Sequence, residues 1–400
     1  MKKAGKIIVS ATLLLGFGLN CRFPIAQQSI AHADEQEIVS VLGESGLKTR
    51  AKSAYLMDYS TQNVMYAYNE NQRLPIASMC KIMTLLLCFD AINDGALDMN
   101  EEICVSQRAA SMGGSQVFLE ANGKYSVREL MKSIVVCSAN DSCVAMAERV
   151  AGSEELFVDK MNEKAKEIGA SNTLFSNCTG LPKEPQYSCA KDVAIMLKHL
   201  LLNEEYYQFG KVWLEKFNHP TGRYTEITNT NKLVRFYEGC DGGKTGFTNE
   251  AGFCLAATAM RNNMRVISVV IGEENSANRF EDVRTMFDYA FANYTAEVIV
   301  EKDKALDEPI SVSGGKEKMM MAYPARSVYV VSKRGEKNNV TVETFYSAVK
   351  APVTKGEQIG ELVVFKDGVE MDRVPLLASE NIEKANFFDC LQDVAKGWNV

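Results

Sequence analysis

The most constraining feature of the sequence is residues 77–84, ASMCKIMT, which place a hydroxyl and an amine three residues apart at the start of a predicted helix. Pro75 precedes the stretch, as is common at helix entries, and apolar residues follow at helical spacing. Residues i and i+3 share a helix face, so Ser78 and Lys81 are expected to point the same way, toward the apolar stripe. Burial disfavours the charged amine, so the pKa of Lys81 is expected to fall toward neutrality.

A hydroxyl beside a neutral amine combines a nucleophile with an adjacent base. The alternative is a lysine that extends to solvent and a serine that caps the helix. Histidine is scarce, with three in the chain. His199 lies in a predicted helix and His219 precedes Pro220 in a loop, so neither has the context of a Ser-His-Asp triad. This scarcity favours lysine as the base.

The N-terminal segment has the features of a secretory signal peptide. Lys2, Lys3 and Lys6 precede an apolar run at 7–19, and the small residues of Ala31-His32-Ala33 offer a cleavage site. Residues 1–33 carry four basic residues, including Arg22, and no acid, so their removal changes the net charge from −7 to −11. We therefore predict an exported, acidic protein, which is a poor candidate for nucleic-acid binding.

The eleven cysteines are scattered through apolar segments. This distribution is typical of small buried hydrophobic residues, and the spacing does not favour a zinc site. We expect the protein to need no metal and no cofactor.

Hydrophobic periodicity predicts two hairpins, at 53–69 and 251–272, and five helices after the first one, at 127–136, about 142–151, 153–168, 190–202 and 278–294. Beyond about residue 295 the pattern changes to short alternating strands, at 298–300, 310–312, 327–331, 340–345 and 361–365, with Asp367-Gly368 as a hairpin turn. This predicts a small all-β domain. The last stretch, 382–398, is predicted to be an amphipathic helix.

The segment 242–246, GGKTG, resembles part of a phosphate-binding loop. That reading fails because Glu238 stands where the first glycine is required, and because a strand follows. As Lys-Thr-Gly beside a strand, the segment offers a positive charge and a hydroxyl donor. The glycine is expected to let a substrate backbone lie close to the strand.

A third motif, Ser138-Ala139-Asn140, is weak alone because both residue types cap helices. However, Ser-x-x-Lys, Ser-x-Asn and Lys-Thr-Gly follow in that order, about 60 and 105 residues apart. Each also falls in the element expected for it: a helix start, a loop between helices and an edge strand. This set is typical of penicillin-binding proteins and class A β-lactamases.

Over nearly its whole length the chain resembles the D-alanyl-D-alanine carboxypeptidases, the low-molecular-mass serine penicillin-binding proteins. The resemblance also covers residues 69–84, 113–115, 138–148, 180–182, 229–233, 241–252 and 279–280. It implies an α/β (α+β) transpeptidase fold like that of penicillin-binding proteins and β-lactamases, with an antiparallel sheet flanked by helices. The implied domains are a signal peptide at 1–33, a catalytic domain at 34–294, an all-β domain at 295–380 and an amphipathic helix at 381–400. Thr179 and Phe247 stand where some relatives carry histidine.

The resemblance also implies roles for individual residues. Ser78 is the nucleophile and Lys81 takes its proton. Ser138 relays a proton to the leaving amine, and Asn140 holds Lys81 and the substrate amide. The expected substrate-binding residues are Lys244, Thr245, Gly246, Phe247, Arg279 and Ser115, with the backbone N–H groups of Ser78 and Phe247 as the oxyanion hole.

The implied partners are the peptidoglycan stem peptide, β-lactams and the outer face of the cytoplasmic membrane, where the terminal helix would lie. Its alternative is a helix packed on the β domain. Three other functions stay open: a β-lactamase, a D,D-endopeptidase, and a non-catalytic penicillin sensor or wall-binding module. Class A β-lactamases use a glutamate to activate water, and Glu163, Glu167 and Glu184 lack the sequence setting of that residue.

Overall fold

The computed structural model describes residues 46–389. The predicted signal peptide and the larger part of the predicted terminal helix, with Cys21 and Cys390, lie outside these residues. Within them, no helix is both long enough and apolar enough to cross a bilayer.

A five-stranded antiparallel sheet forms the centre of the first part of the chain, with strand order β2-β1-β9-β8-β7. Its strands are β1 (Ser53–Asp58), β2 (Val64–Tyr68), β7 (Cys240–Thr248), β8 (Gly252–Arg261) and β9 (Met264–Glu273). Both predicted hairpins are confirmed, since β1 pairs with β2 and β8 with β9.

The side chains of this sheet alternate between two separate cores, as the period of two in a strand requires. In β1, Tyr55 and Met57 enter the larger core with most of the helices, whereas Ala54 and Leu56 enter a second core. The second core is closed by a long helix, Ser276–Asn293, whose Val283 and Phe287 are fully buried. Because both faces are covered, β1 is buried at every position.

The helices are α1 (Lys81–Asn93), α2 (Gln107–Ala110), α3 (Val127–Cys137), α4 (Asn140–Ala151), α5 (Glu154–Glu167), α6 (Ala190–Leu200), α7 (Tyr206–Gly210), α8 (Leu233–Phe236) and α9 (Ser276–Asn293). The five helices predicted after the first one are confirmed to within about two residues. Two of them begin at a serine cap: Ser126 accepts a hydrogen bond from Glu129 N, and Ser153 accepts one from Leu156 N.

Helix α1 lies at the centre of the larger core. Its first nine residues, from Lys81 to Phe89, are all buried. The cysteines follow the same trend, since seven of the nine that the structure describes are buried, with Cys104 exposed and Cys137 half-buried. Their prediction as mostly small buried hydrophobic residues is therefore confirmed for this part of the chain.

Two small ribbons complete this part: β3 (Glu102–Cys104) with β4 (Lys124–Ser126), and β5 (Leu214–Asn218) with β6 (Tyr224–Thr228). The all-β part begins at β10 (Tyr294–Val300), directly after α9. Its other strands are β11 (Ile310–Ser311), β12 (Met319–Met320), β13 (Ala322–Pro324), β14 (Val328–Lys333), β15 (Val340–Tyr346), β16 (Gln358–Lys366) and β17 (Val369–Ala378).

The all-β part has its own hydrophobic core, to which Leu362, Val364 and Leu376 contribute. Its four-stranded sheet has the order β13-β17-β16-β15. Asp367 and Gly368, at φ 51 and 82°, form the predicted turn between β16 and β17.

The terminal helix begins later than predicted. Ile382 is 1% exposed in the β-domain core and exchanges two backbone hydrogen bonds of 2.9 Å with Val353. Asn386 then accepts hydrogen bonds from Phe388 N and Asp389 N, as a helix N-cap does. The prediction of helix from residue 381 or 382 is therefore wrong: 381–386 extends the β part, and helical residues start at Phe387.

Candidate active site

The site is built where three segments meet: a 3-10 turn at Ala77–Cys80 that leads into α1, the junction of α3 and α4, and strand β7. Lys81 Nζ lies 2.9 Å from Ser78 Oγ. Ser78 is half-buried and Lys81 is fully buried. Ala77, immediately before the serine, has φ 47°, a strained conformation for a residue with a side chain. The predicted nucleophile and base are thus held within hydrogen-bonding distance.

Lys81 is buried, and its hydrogen bonds to residues within 46–389 include no ionic partner. Its Nζ donates to the Thr179 carbonyl at 2.6 Å. Burial lowers the pKa of Lys81, because an ammonium ion loses its hydration there. The thiols of Cys80 and Cys143 are among its titratable neighbours, and burial raises their pKa, so they stay neutral. These surroundings favour an amine that can accept a proton.

The α3–α4 junction brings Ser138 and Asn140 to the site. Ser138 ends α3 in the left-handed conformation, at φ 66° and ψ 34°. Its Oγ and the Oδ1 of Asn140 are buried and have no hydrogen-bond partner in the described part of the chain. Buried polar atoms are nearly always satisfied, so two such atoms on residues two positions apart indicate a place where a ligand's polar groups bind.

The expected contact between Asn140 and Lys81 is absent. Asn140 Nδ2 donates instead to the Gly113 carbonyl at 2.7 Å, because the first residue of α4 faces the 113–115 loop. Gly114 has φ 80°, and a Cβ there would stand 2.7 Å from Nδ2, so only glycine fits. Ser115 is exposed, and its carbonyl accepts from Asn140 N at 2.7 Å.

Asp141 was not predicted, although it follows the Ser-Ala-Asn motif directly. Its carboxylate accepts hydrogen bonds from Val117 N and Leu119 N and is fully buried. Burial raises the pKa of this carboxyl. Asp141 therefore ties the loop that carries Ser115 to the start of α4. The only sequence signal was an acidic residue in a helix's first turn, which is common.

Strand β7 carries the Lys-Thr-Gly motif along the cleft. Lys244 and Thr245 are 2% and 6% exposed. Burial lowers the pKa of Lys244 to about 7, and the nearby Arg279 charge acts in the same direction. A Cβ at position 246 would stand 2.6 Å from the Ile76 carbonyl. The glycine therefore lets β7 approach the Ser78 turn, and the expected close contact with a substrate backbone stays a prediction.

Phe247 and Arg279 lie at the end of this strand. The Phe247 ring is 51% exposed and stacks on Phe253 at 4.3 Å between ring centres. Arg279 Nη1 donates to the Gly246 carbonyl at 3.0 Å and to the Cys254 carbonyl at 3.4 Å. Burial lowers the pKa of Arg279 to about 10. Its contacts support the backbone of β7 and β8, and a role in binding a substrate carboxylate stays a prediction.

The arrangement is suited to acyl transfer. It combines a serine with an adjacent lysine whose pKa is lowered by burial, two buried polar atoms that have no partner among the described residues, and a second buried lysine on an edge strand. These are the parts needed for a nucleophile, its base and the binding of an anionic peptide terminus.

Comparison with known proteins gives matches over both parts of the chain. The family described as D-alanyl-D-alanine carboxypeptidase (peptidase S11) matches residues 40–275. The family described as penicillin-binding protein 5, C-terminal domain, matches residues 294–384.

Individual proteins give the same result. D-alanyl-D-alanine carboxypeptidase DacF of Bacillus subtilis is 40% identical, over 97% of this chain and 98% of its own. Among solved structures, a peptidoglycan synthesis regulatory factor (PBP3) from Streptococcus pneumoniae has a TM-score of 0.68 at 26% identity, with 84% of this chain and 100% of that chain covered. Penicillin binding protein 5 from Haemophilus influenzae has a TM-score of 0.64 at 28% identity, with 84% and 98% covered.

Proposed function

The chain belongs to the peptidase S11 family of D-alanyl-D-alanine carboxypeptidases, a family of serine hydrolases, and we propose that it removes the terminal D-alanine from peptidoglycan pentapeptide stems through an acyl-enzyme on Ser78. The observation that carries the proposal is the 2.9 Å distance between Ser78 Oγ and the buried Lys81 Nζ. It supplies a nucleophile and a base with no histidine.

In the proposed reaction, Ser78 Oγ attacks the carbonyl carbon between the two D-alanines while its proton moves to Lys81 Nζ. The backbone N–H groups of Ser78 and Phe247 hold the oxyanion, at about 3–4 kcal/mol per donor. The C–N bond then breaks, and Ser138 relays the proton from Lys81 to the leaving amine. Water hydrolyses the ester, releases the shortened peptide and returns the proton to Ser78.

The buried groups beside the serine suit the rest of the substrate. Lys244 and Thr245 offer a charge and a hydroxyl to the terminal carboxylate. Asn140 Oδ1, which has no partner among the described residues, can accept from a substrate amide N–H. A β-lactam presents the same carboxylate and reactive carbonyl, so we propose that it acylates Ser78 and stays bound.

The slow release of a β-lactam is supported by where the candidate glutamates lie. Glu163 and Glu167 line a groove with Asp90. Asp90 is nine residues after Lys81, which places it about 13 Å along the helix from that lysine. Glu184 lies closer, in a groove with Ala77 and Gly180, but it is exposed. A buried water-activating carboxylate, which a β-lactamase of class A needs, is therefore not among these three.

The decisive experiment is incubation with a diacyl-D-Ala-D-Ala peptide or a muramyl pentapeptide, with product mass as the readout. Loss of one alanine supports the carboxypeptidase, whereas cleavage of only a crosslinked muropeptide indicates an endopeptidase. Fast turnover of penicillin indicates a β-lactamase. A wild-type protein that binds penicillin but releases no D-alanine would indicate a sensor. Ser78→Ala should abolish both labelling and release.

We further propose that the protein is exported and acts on the outer face of the cytoplasmic membrane. The predicted signal peptide supports export. At the other end, Phe387 and Phe388 are 75% and 73% exposed, and two adjacent exposed aromatic side chains suit insertion into a lipid interface. Co-sedimentation with anionic vesicles should fall when residues 387–400 are removed, and equal binding would contradict the membrane proposal.

A further inference from the structure

Residues 177–181 form a tight turn beside Lys81, and the Asn177 side chain binds three of its backbone groups. Asn177 Oδ1 accepts hydrogen bonds from Thr179 N at 3.1 Å and from Gly180 N at 2.7 Å. Its Nδ2 donates to the Leu181 carbonyl at 2.8 Å. The side chain is buried, and its single amide binds three backbone groups of the turn, of which the Leu181 carbonyl also accepts from Gln186 Nε2 at 3.3 Å.

This turn contacts both groups of the proposed reaction. The Thr179 carbonyl accepts from Lys81 Nζ at 2.6 Å. Gly180, at φ 81°, is packed so closely that a Cβ would stand 2.0 Å from the Ala77 carbonyl oxygen and 2.9 Å from Ser78 N. The turn therefore leaves little room for Lys81 or the Ser78 backbone to shift.

A carbonyl at this position has a chemical consequence for the amine. A neutral amine has two hydrogens and one lone pair, and donating one hydrogen to the Thr179 oxygen restricts rotation about the Cε–Nζ bond. The lone pair can then stay toward Ser78 Oγ, 2.9 Å away. When the Oγ–H bond breaks and an N–H bond forms, the same carbonyl stabilises the new ammonium ion.

We propose that Asn177 is a positioning residue for the reaction: it folds the turn so that the Thr179 carbonyl holds the Lys81 amine toward Ser78. The proposal rests on the proposed acylation of Ser78. The group that contacts Lys81 is the backbone carbonyl of Thr179, which a substitution at 179 does not remove. The side chain that can be changed to test the turn is therefore that of Asn177.

A neighbouring helix supplies a matched control. Asn162, on α5, braces Phe175 by accepting from its N–H at 2.8 Å and donating to its carbonyl at 3.0 Å. Both asparagines therefore bind backbone groups of one loop, but Asn162 does not contact the turn at 179. A purely structural role predicts similar effects for both, whereas a positioning role predicts a catalytic effect for Asn177 alone.

The test is the rate constant for acylation of Ser78 by a fluorescent penicillin, measured from about pH 5 to 9 for wild type, Asn177→Ala, Asn177→Asp and Asn162→Ala. Asn177→Ala should slow acylation about tenfold to a hundredfold, as small misplacements of reacting groups do. The acid limb of its pH profile, where the acylation rate falls as Lys81 becomes protonated, should move to lower pH. The reason is that loss of the carbonyl acceptor disfavours the ammonium form of Lys81.

Asn177→Asp keeps the acceptor oxygen and should stay within about threefold of wild type. Its added negative charge should move the acid limb to higher pH, opposite to the alanine variant. Asn162→Ala should keep the wild-type limb. The other titratable groups facing Lys81 are unchanged in every variant: Lys244 on β7, Cys80, Cys137 on α3, Cys143 on α4 and Cys178.

An Asn177→Ala protein that melts earlier but keeps the wild-type acid limb would overturn the proposal. If this variant does not fold, Asn177→Ser, which adds no charge, decides: a limb moved to lower pH supports positioning, and an unmoved limb overturns it. Absence of labelling in the wild-type protein would overturn the proposed function and this inference with it. That result differs from normal wild-type labelling with unaltered Asn177 variants, which overturns the inference alone.

Discussion

The catalytic part and the all-β part differ most in the polar side chains that they bury. Across residues 46–293 these include Lys81, Ser138, Asn140 and Lys244, whereas from residue 294 to 389 only Ser332 is both polar and buried. The charges of the β part pair at the surface instead, as Arg326 does with Asp372 and Arg373 with Glu361.

This difference separates the sources of stability from the sources of chemistry. Burying a polar group without a full set of partners costs free energy, so a region does it only where other contacts compensate. In the catalytic part, the two apolar cores on either side of the sheet supply those contacts. The β part has one apolar core and no such cluster. We therefore expect the two parts to respond in opposite ways to polar and apolar substitutions.

The largest expected effect is from Lys81→Met, which removes the proposed base and keeps most of the side-chain volume. Acylation by penicillin should fall about a thousandfold or more, in the range for loss of a general base. Stability should change by about 1 kcal/mol or less, because the lost bond to the Thr179 carbonyl and the removed buried amine offset each other. Stopped-flow labelling and thermal melting would measure both.

Lys164→Met is the matched control for that prediction. Lys164 is also largely buried, but it pairs with Asp90 and Glu167. Its replacement should leave acylation unchanged, and an equal loss of acylation in both variants would contradict the special role of Lys81.

The next effect tests the β part. Leu362 is fully buried in its core, so Leu362→Ala should destabilise that domain by about 3 kcal/mol. Acylation of Ser78 should stay at the wild-type rate at 25 °C, since the catalytic part has separate cores. Denaturant unfolding would measure the stability of the β domain, and penicillin labelling of the same protein would measure the acylation rate of Ser78. A parallel loss of labelling would show that the parts do not behave independently.

Two truncated proteins test where the β domain ends. Removing residues 387–400 should leave the melting temperature of the β part unchanged. Removing 381–400 should also expose the Ile382 site and break its two hydrogen bonds with Val353, a loss of about 2–3 kcal/mol. Equal melting curves for the two truncated proteins would contradict the assignment of Ile382 to the core.

The smallest effect is a pH dependence specific to the catalytic part. The pKa of Lys244 is lowered to about 7, so in the free enzyme its charge is present below that pH and is lost above it. KM for a peptide with a terminal carboxylate should therefore rise by up to about tenfold per pH unit above neutrality. Lys244→Arg should remove this rise, because a guanidinium stays charged. A wild-type KM that is flat to pH 9 would exclude Lys244 as the carboxylate partner.

The lowered pKa of Lys244 also determines whether stability rises or falls with pH. Between pH 7 and about 10.4 the unfolded chain binds more protons at Lys244 than the folded chain does, so stability should rise with pH across that window. The depressed pKa of Lys81 acts in the same direction. The β part, with Ser332 as its buried polar residue, should show no matching trend.

Much of the fold could be predicted from the sequence. The two hairpins, the helices after α1 and the change to short strands near residue 295 follow from local periodicity, which reports which face of each element is buried. The terminal helix was misplaced because the apolar Ile382 fits a helical pattern as well as it fits a strand bridge. Only its contact with Val353 distinguishes them.

By itself the sequence determined the residues with chemistry: Ser78 and Lys81 share a helix face through local spacing, and the scarcity of histidine left lysine as the base. Tertiary structure decided what surrounds them. The Thr179 carbonyl reaches Lys81 across 98 residues of chain, Asp141 ties down the Ser115 loop, and Gly246 admits β7 to the Ser78 turn. Each of these contacts joins a backbone group to a residue of another segment, and no spacing along the chain encodes it.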